Sequence, residues 1–227
     1  MLPRPHATLI LATSADGKIA DDRRRRETLG SRRDFAHLQE QIALADGIIF
    51  GAQTLRTWRL SLTVSDPQLL SDRAARGQSS QPVHIVCTRS GDLDENMKFF
   101  RQPIDRWLLT TETGAKSWQG RSHFDRIITP ETPTGAIDFP AAFAQLAQLG
   151  IDRLAVTGGG TLAATLFRVG LIDEVWLTLC PLIVGGTNAP TAVDGVSFDG
   201  DLRPQLDVLQ LFSVGNEIFI RYRVRKT

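Results

Sequence analysis

The chain has 227 residues and lacks the features that mark several large protein classes. Cysteine occurs only twice, at Cys87 and Cys180, so a disulfide-stapled secreted scaffold is excluded by number. Each cysteine lies in an apolar, strand-like run without a His or Cys neighbour at zinc-site spacing. Both therefore read as small hydrophobic groups, and no metal is expected. No apolar run approaches the ~18 residues of a membrane span, and the opening Met1-Leu2-Pro3-Arg4-Pro5 has no apolar core of a secretory signal. The expectation is a cytoplasmic protein with no membrane partner. A charge excess is lacking too. Twenty-six Lys and Arg oppose 25 Asp and Glu, for a net charge of +1, which provides no global field for nucleic acid. The one basic cluster, Arg23 to Arg26, follows Asp21 and Asp22 and reads as a solvated loop. Its alternative is a cationic rim for a phosphorylated ligand.

What is present suits one globular domain over residues 1–227, with 42% hydrophobic and 22% charged residues. Short β-rich runs recur at Ala7–Ala12, Gly47–Gly51, Val83–Thr88, Trp107–Thr110, Arg126–Thr129 and Leu154–Thr157. Helical patterns fall over Ser31–Ala45, with Ser31 as N-cap, over Phe139–Leu149 before Gly150, and over Thr161–Val169 before Gly170. A long strand is expected over Val175–Val184, interrupted by Pro181. Val208–Val214 and Glu217–Val224 flank Gly215-Asn216 as a hairpin. Segments 57–82 and 89–103 read as loop-rich. Strand–helix alternation predicts an α/β fold with a mostly parallel sheet covered on both faces, extended by an antiparallel edge.

Four strand ends carry candidate chemistry. Leu154–Thr157 runs into Gly158-Gly159-Gly160-Thr161-Leu162, which opens a helix. Glycines let a phosphate approach the backbone, and the helix N-terminus supplies unpaired N–H groups. Thr161 either caps that helix or adds a hydroxyl donor. The spacing is not that of G-x-G-x-x-G, and no acidic residue follows on a next strand at the expected distance. The bland reading is a turn shaped by packing. Ile48-Ile49-Phe50 likewise meets Gly51-Ala52-Gln53-Thr54-Leu55-Arg56, whose bland reading is a helix start. The third strand ends in Thr88-Arg89-Ser90, hydroxyls and a guanidinium suited to a 2′-phosphate. The first ends in Thr13-Ser14-Ala15-Asp16-Gly17-Lys18-Ile19-Ala20, where Asp-Gly is first of all a turn. Read functionally, Ser14, Asp16 and Lys18 would face a substrate.

Taken in order, these pieces, with Gly170-Leu171-Ile172-Asp173-Glu174-Val175 and Pro181-Leu182-Ile183-Val184-Gly185-Gly186, resemble the reductase domain of riboflavin biosynthesis. That family has a dihydrofolate-reductase-like fold, and the resemblance runs from about residue 4 to the end. It implies a mixed, mostly parallel twisted sheet with flanking helices and a C-terminal antiparallel hairpin, NADPH as hydride donor, and usually a homodimer. It implies a small phosphorylated substrate, 5-amino-6-(5-phosphoribosylamino)uracil, reduced at the ribosyl C1′ through an open-chain imine.

Carried over residue by residue, the resemblance places Gly51, Ala52, Thr54, Arg56, Gly158, Gly159, Gly160, Thr161 and Leu162 beside the dinucleotide; Thr88, Arg89 and Ser90, by their own chemistry, are the expected 2′-phosphate contacts. Asp16, Ser14 and Lys18 go to the substrate, and Arg56 or Arg59 to its phosphate. The chain departs from the family pattern at Thr157, where a carboxylate is usual, and at Trp58 and Leu60, where Asp and Pro are usual. These departures leave two other readings open: a paralogue reducing a pterin or another carbonyl or imine, and a nucleotide-binding protein without catalysis. The zinc deaminase domain fused to some relatives is not expected, since neither H-x-E nor P-C-x-x-C occurs.

Overall fold

The computed structural model describes residues 3–26 and 28–226. Two compact units are present, one made of the residues up to His6 with Gln39–Ala155, the other of Ala7–Leu38 with the residues from Val156 onward. Among the described residues nine strands form a mixed, mostly parallel arrangement with helices between them.

In chain order the elements are β1 (His6–Ser14), α1 (Arg32–Ala43), β2 (Gly47–Gly51), α2 (Ala52–Trp58), α3 (Pro67–Ala75), β3 (Val83–Cys87), β4 (Arg106–Leu109), α4 (Glu112–Ala115) and β5 (Arg126–Ile128). They continue with α5 (Phe139–Gln148), β6 (Arg153–Val156), α6 (Gly160–Arg168), β7 (Glu174–Cys180), β8 (Leu206–Val214) and β9 (Glu217–Val224).

The first unit holds the order β5-β4-β3-β2-β6. Strands β2 to β5 pair in parallel, and Gly51 lies opposite Cys87, which lies opposite Leu109. The carboxyl ends of these strands are thus level. β2 and β3 are buried almost throughout, as strands covered on both faces must be. Phe50, Leu55, Val86, Phe99, Leu108 and Trp118 form the core against them. Arg73 is fully buried on α3, and its guanidinium donates to the Ala43 and Ala45 carbonyls at 3.0 and 2.7 Å. It thereby satisfies carbonyls that the end of α1 leaves open.

The second unit holds β1-β7-β9-β8. β1 and β7 are parallel, with Ser14 opposite Cys180, and β9 runs antiparallel to both β7 and β8. His37 of α1 packs edge-on against Trp176 and Phe219, and Phe212 stacks on Phe219. This fixes the face of β7 on which α1 lies.

Two expectations are corrected. Segment 57–82 is not simply loop, because Asp66 caps α3 by accepting from the Gln68 and Leu69 amides while Pro67 occupies the first helical position. The strand expected to reach Val184 stops at Cys180, because Pro181 has no N–H to continue the ladder. Ser31 does cap α1, accepting from the Arg33 amide at 3.0 Å.

Candidate functional site

In the first unit β2 passes straight into α2. Gly51 is the extended N-cap with no side-chain cap, Ala52 is buried and Thr54 is half-buried. Arg56 is engaged already: its guanidinium donates to the Asp92 carbonyl at 2.7 Å and lies 3.9 Å from that carboxylate. Arg59 pairs with the Asp94 carboxylate at 2.7 Å and holds it below its ordinary pKa.

Beyond β3, Thr88 is buried while Arg89 and Ser90 are exposed. The loop is pinned through its carbonyls. Thr111 Oγ1 donates to the Arg89 carbonyl at 2.9 Å, and Trp118 Nε1 to the Gly91 carbonyl at 2.6 Å. Gly91 sits at φ +66°, and a Cβ there would overlap the Gly114 carbonyl, so glycine is required. The Arg89 guanidinium bonds to no described residue. Of Arg56, Arg59 and Arg89, it is the cation left for an anion.

In the second unit Gly158, Gly159 and Gly160 join β6 to α6, with a cis peptide between the first two. Gly158 has φ +105°, and a Cβ on it would press on Leu11 at 3.3 Å. A Cβ on Gly160 would overlap the Thr191 carbonyl. The N-cap of α6 is Gly159, without a side-chain cap. Thr161 is therefore inside the helix and exposed, not its cap. The first α6 amide to find a backbone partner is that of Ala163, on the Gly159 carbonyl. The Gly160, Thr161 and Leu162 amides precede it and find no backbone partner among the described residues, which leaves them to an anion such as a phosphate group.

Ser14, Asp16 and Lys18 are brought together at the end of β1, but they are spent on one another and on the loop after β7. Ser14 Oγ donates to Asp16 Oδ1 at 2.6 Å and accepts from the Lys18 amide at 3.0 Å. Asp16 also accepts from the Val184 and Gly185 amides at 3.0 and 2.8 Å. The Ser14 hydroxyl, then the Val184 amide, hold the Asp16 carboxyl down at about 2. Lys18 Nζ donates to the Ala189 carbonyl at 3.1 Å.

A second acidic group escaped the sequence reading. Asp34 stands in the first turn of α1, where an acid is ordinary. In the fold it is mostly withdrawn from water, beside the Thr178 hydroxyl and the Glu217 carboxylate. Burial first, then Glu217, push its pKa up. Glu217 itself accepts from both the Ser31 amide and the Ser31 hydroxyl, each at 2.6 Å. Cys180 lies among them, its thiol pushed up to about 12 by burial and by these two carboxylates. The only sequence signal was Ser31-x-x-Asp34, a helix start.

A family model described as the RibD C-terminal domain matches residues 5–220. A 2,5-diamino-6-ribosylamino-4(3H)-pyrimidinone 5′-phosphate reductase of Aquifex aeolicus is 30% identical, over 87% of this chain and 86% of its own. Among solved structures, a pyrimidine reductase-like protein of Corynebacterium diphtheriae superposes with a TM-score of 0.82 at 21% identity, covering 98% of this chain and 93% of its own. A dihydrofolate reductase of Enterococcus faecalis, complexed with NADP(H), shares the fold at a TM-score of 0.54 and 10% identity, with all of both chains covered.

Proposed function

The chain belongs to the RibD C-terminal domain family, and from that premise we propose that it is an NADPH-dependent reductase of a 6-ribosylaminopyrimidine 5′-phosphate in riboflavin biosynthesis. The Aquifex aeolicus relative supports the 2,5-diamino-4(3H)-pyrimidinone as the base carried by that substrate, in place of the uracil that the resemblance implies. A nicotinamide dinucleotide supplies hydride when bound; the protein supplies binding, orientation and exclusion of water.

One observation carries this reading: the uncapped start of α6 behind three glycines. Its free amides suit the pyrophosphate of a dinucleotide. In the first unit, Gly51, Ala52 and Thr54 are assigned to cofactor contacts, and Arg89, with Thr88 and Ser90, to the 2′-phosphate. Arg56 is left to hold Asp92. Ser14, Asp16 and Lys18 shape the substrate end by holding the 184–189 loop in place.

We read the two units as one reductase domain, since the chain passes between them at residues 6–7, 38–39 and 155–156. We also assign a homodimer through β8, which among the described residues pairs with β9 alone and exposes Val208 (60%) and Leu211 (62%). No helix among the described residues is long and apolar enough to cross a membrane, and we place the enzyme in the cytoplasm.

Calorimetry with NADPH and NADH tests the cofactor assignment. Wild type should prefer NADPH. Arg89→Ala should cut that preference by about 10- to 100-fold, the loss of one or two charge-assisted bonds of about 1.5–3 kcal/mol. Gly159→Val should weaken both cofactors while circular dichroism stays unchanged. Equal wild-type affinity for the two, or full affinity in Gly159→Val, would contradict the assignment.

A further inference from the structure

The chain after β7 does more than meet the turn after β1. It leaves the sheet at Pro181 and continues without helix or strand over residues 181–198, as a strap across the second unit. Its first stretch is fastened to the turn after β1. The Ala15 amide donates to the Leu182 carbonyl at 2.9 Å, and the Val184 and Gly185 amides donate to the Asp16 carboxylate. A second fastening lies on the same turn. The Ile19 amide donates to the Pro190 carbonyl at 2.9 Å, Lys18 Nζ donates to the Ala189 carbonyl, and Lys18 forms an antiparallel bridge with Thr191. The last fastening is on α6. The Arg168 guanidinium, at the end of that helix, donates to the Val196 carbonyl and stands 4.7 Å from the centre of the Phe198 ring. The strap thus joins the substrate-end turn to the helix whose start is assigned to the cofactor.

Between these fastenings the strap meets the three-glycine turn. The Asp194 amide donates to the Gly160 carbonyl at 3.1 Å. A Cβ on Gly160 would overlap the Thr191 carbonyl and would stand 3.1 Å from the Asp194 carboxyl carbon. Residues 191–194 therefore rest directly on the first residue of α6. Their shape depends on one side chain. Asp194 Oδ1 accepts from the Thr191 amide at 2.9 Å and from the Thr191 hydroxyl at 2.6 Å, which closes 191–194 into a turn. That closure holds the Thr191 carbonyl and the Asp194 amide toward Gly160. Gly160 carries the first of the three amides that find no backbone partner among the described residues. Three successive glycines leave a backbone that no side chain of its own steers, so what packs against it sets where its amides point.

We propose that Asp194 is the positioning residue of the cofactor cradle, and that the strap it anchors couples cofactor binding at α6 to the turn that holds Asp16 and Lys18. This rests on the assignment of the α6 start to the pyrophosphate of a dinucleotide. Asp194 acts through Gly160 and not on the phosphate, because a carboxylate turned to a pyrophosphate would repel it. Its Oδ1 is occupied by Thr191 instead. The link runs both ways. A cofactor that fixes the Gly160 turn also fixes residues 189–191, and with them the Lys18 and Ile19 end of the substrate turn. By thermodynamic linkage, whatever the cofactor does to that turn, the turn does to cofactor affinity.

Calorimetry with NADPH and nitrogen-15 NMR of the full chain test this together. Asp194→Ala opens the 191–194 turn and should weaken NADPH by about 10-fold, the usual effect of losing a hydrogen bond to a charged acceptor. Asp194→Asn keeps an oxygen for Thr191, in a residue that suits such turns, and should recover most of the affinity. This pattern separates positioning from charge, since removal of a repelling carboxylate would tighten NADPH in both variants. Without cofactor, the Gly160, Thr161 and Leu162 amide resonances should move in Asp194→Ala and return in Asp194→Asn. Asp16→Ala, altered at the far end of the strap, should also weaken NADPH, and its loss should fall short of additive with that of Asp194→Ala. Should Asp16→Ala not fold, Lys18→Met releases the second fastening and takes its place. Unchanged or tighter NADPH binding in Asp194→Ala, or amide resonances that stay in place, overturns Asp194 as the positioning residue. Fully additive losses overturn the coupling. A wild type that binds no NADPH sinks the cofactor assignment instead, while the amide resonances still show whether Asp194 sets the start of α6.

Discussion

Asp16 and Asp34 lie in the same unit, and the fold drives them in opposite directions. Asp16, in the turn after β1, is exposed to solvent, yet its oxygens collect the Ser14 hydroxyl and two backbone amides. Its carboxyl falls to about 2. Asp34 is half-buried, collects little and faces Glu217, so its carboxyl rises. The difference teaches that hydrogen-bond supply, more than place in the chain, decides which way the pKa of a carboxylate moves. A carboxylate filled by fixed donors holds loops together. One that is dehydrated beside another acidic side chain is pushed toward its neutral form.

The largest effect that would break the comparison is thermal. Asp16→Asn should lower Tm because two amides lose a charged acceptor, while Asp34→Asn should leave Tm unchanged or raise it, since a dehydrated carboxyl is removed.

The pH dependence of stability comes next. A depressed carboxyl contributes stability that is fully present above its unfolded value of 3.8 and is lost as pH falls toward about 2. Wild type and Asp16→Asn should therefore differ in Tm at neutral pH and converge in that acid window. A gap that persists at pH 2 would remove Asp16 from the account. The smallest expected effect belongs to Ser31→Ala, which removes the α1 cap and one bond to Glu217. About 1–3 kcal/mol in urea unfolding is the expected loss, and no loss would show that neither bond supports the fold.

The strands were legible because β2, β3 and β6 are short apolar runs closed by polar or small residues, and their observed limits differ from those expected by one residue or none. Helix α3 was not, because Gln68, Ser71, Asp72 and Arg73 look like loop composition. Its start signal, Asp66-Pro67, was in plain view. In the candidate site, glycines were legible because backbone geometry demands them: Gly158 takes a φ that only glycine adopts readily. Charged residues were not. Nothing local distinguishes Arg56, held by Asp92, from Arg89, whose guanidinium bonds to no described residue. Asp34 acquires its character from Thr178, Cys180 and Glu217, which only the fold brings to the start of α1.

Turnover of the diaminopyrimidinone riboside phosphate with NADPH deuterated at the transferable position of the nicotinamide tests the central claim most directly. The account predicts a ribityl product carrying one deuterium, bound to C1′, with stoichiometric loss of the reduced cofactor. Deuterium in the pyrimidine ring, or cofactor consumption with no deuterium at C1′, would contradict it.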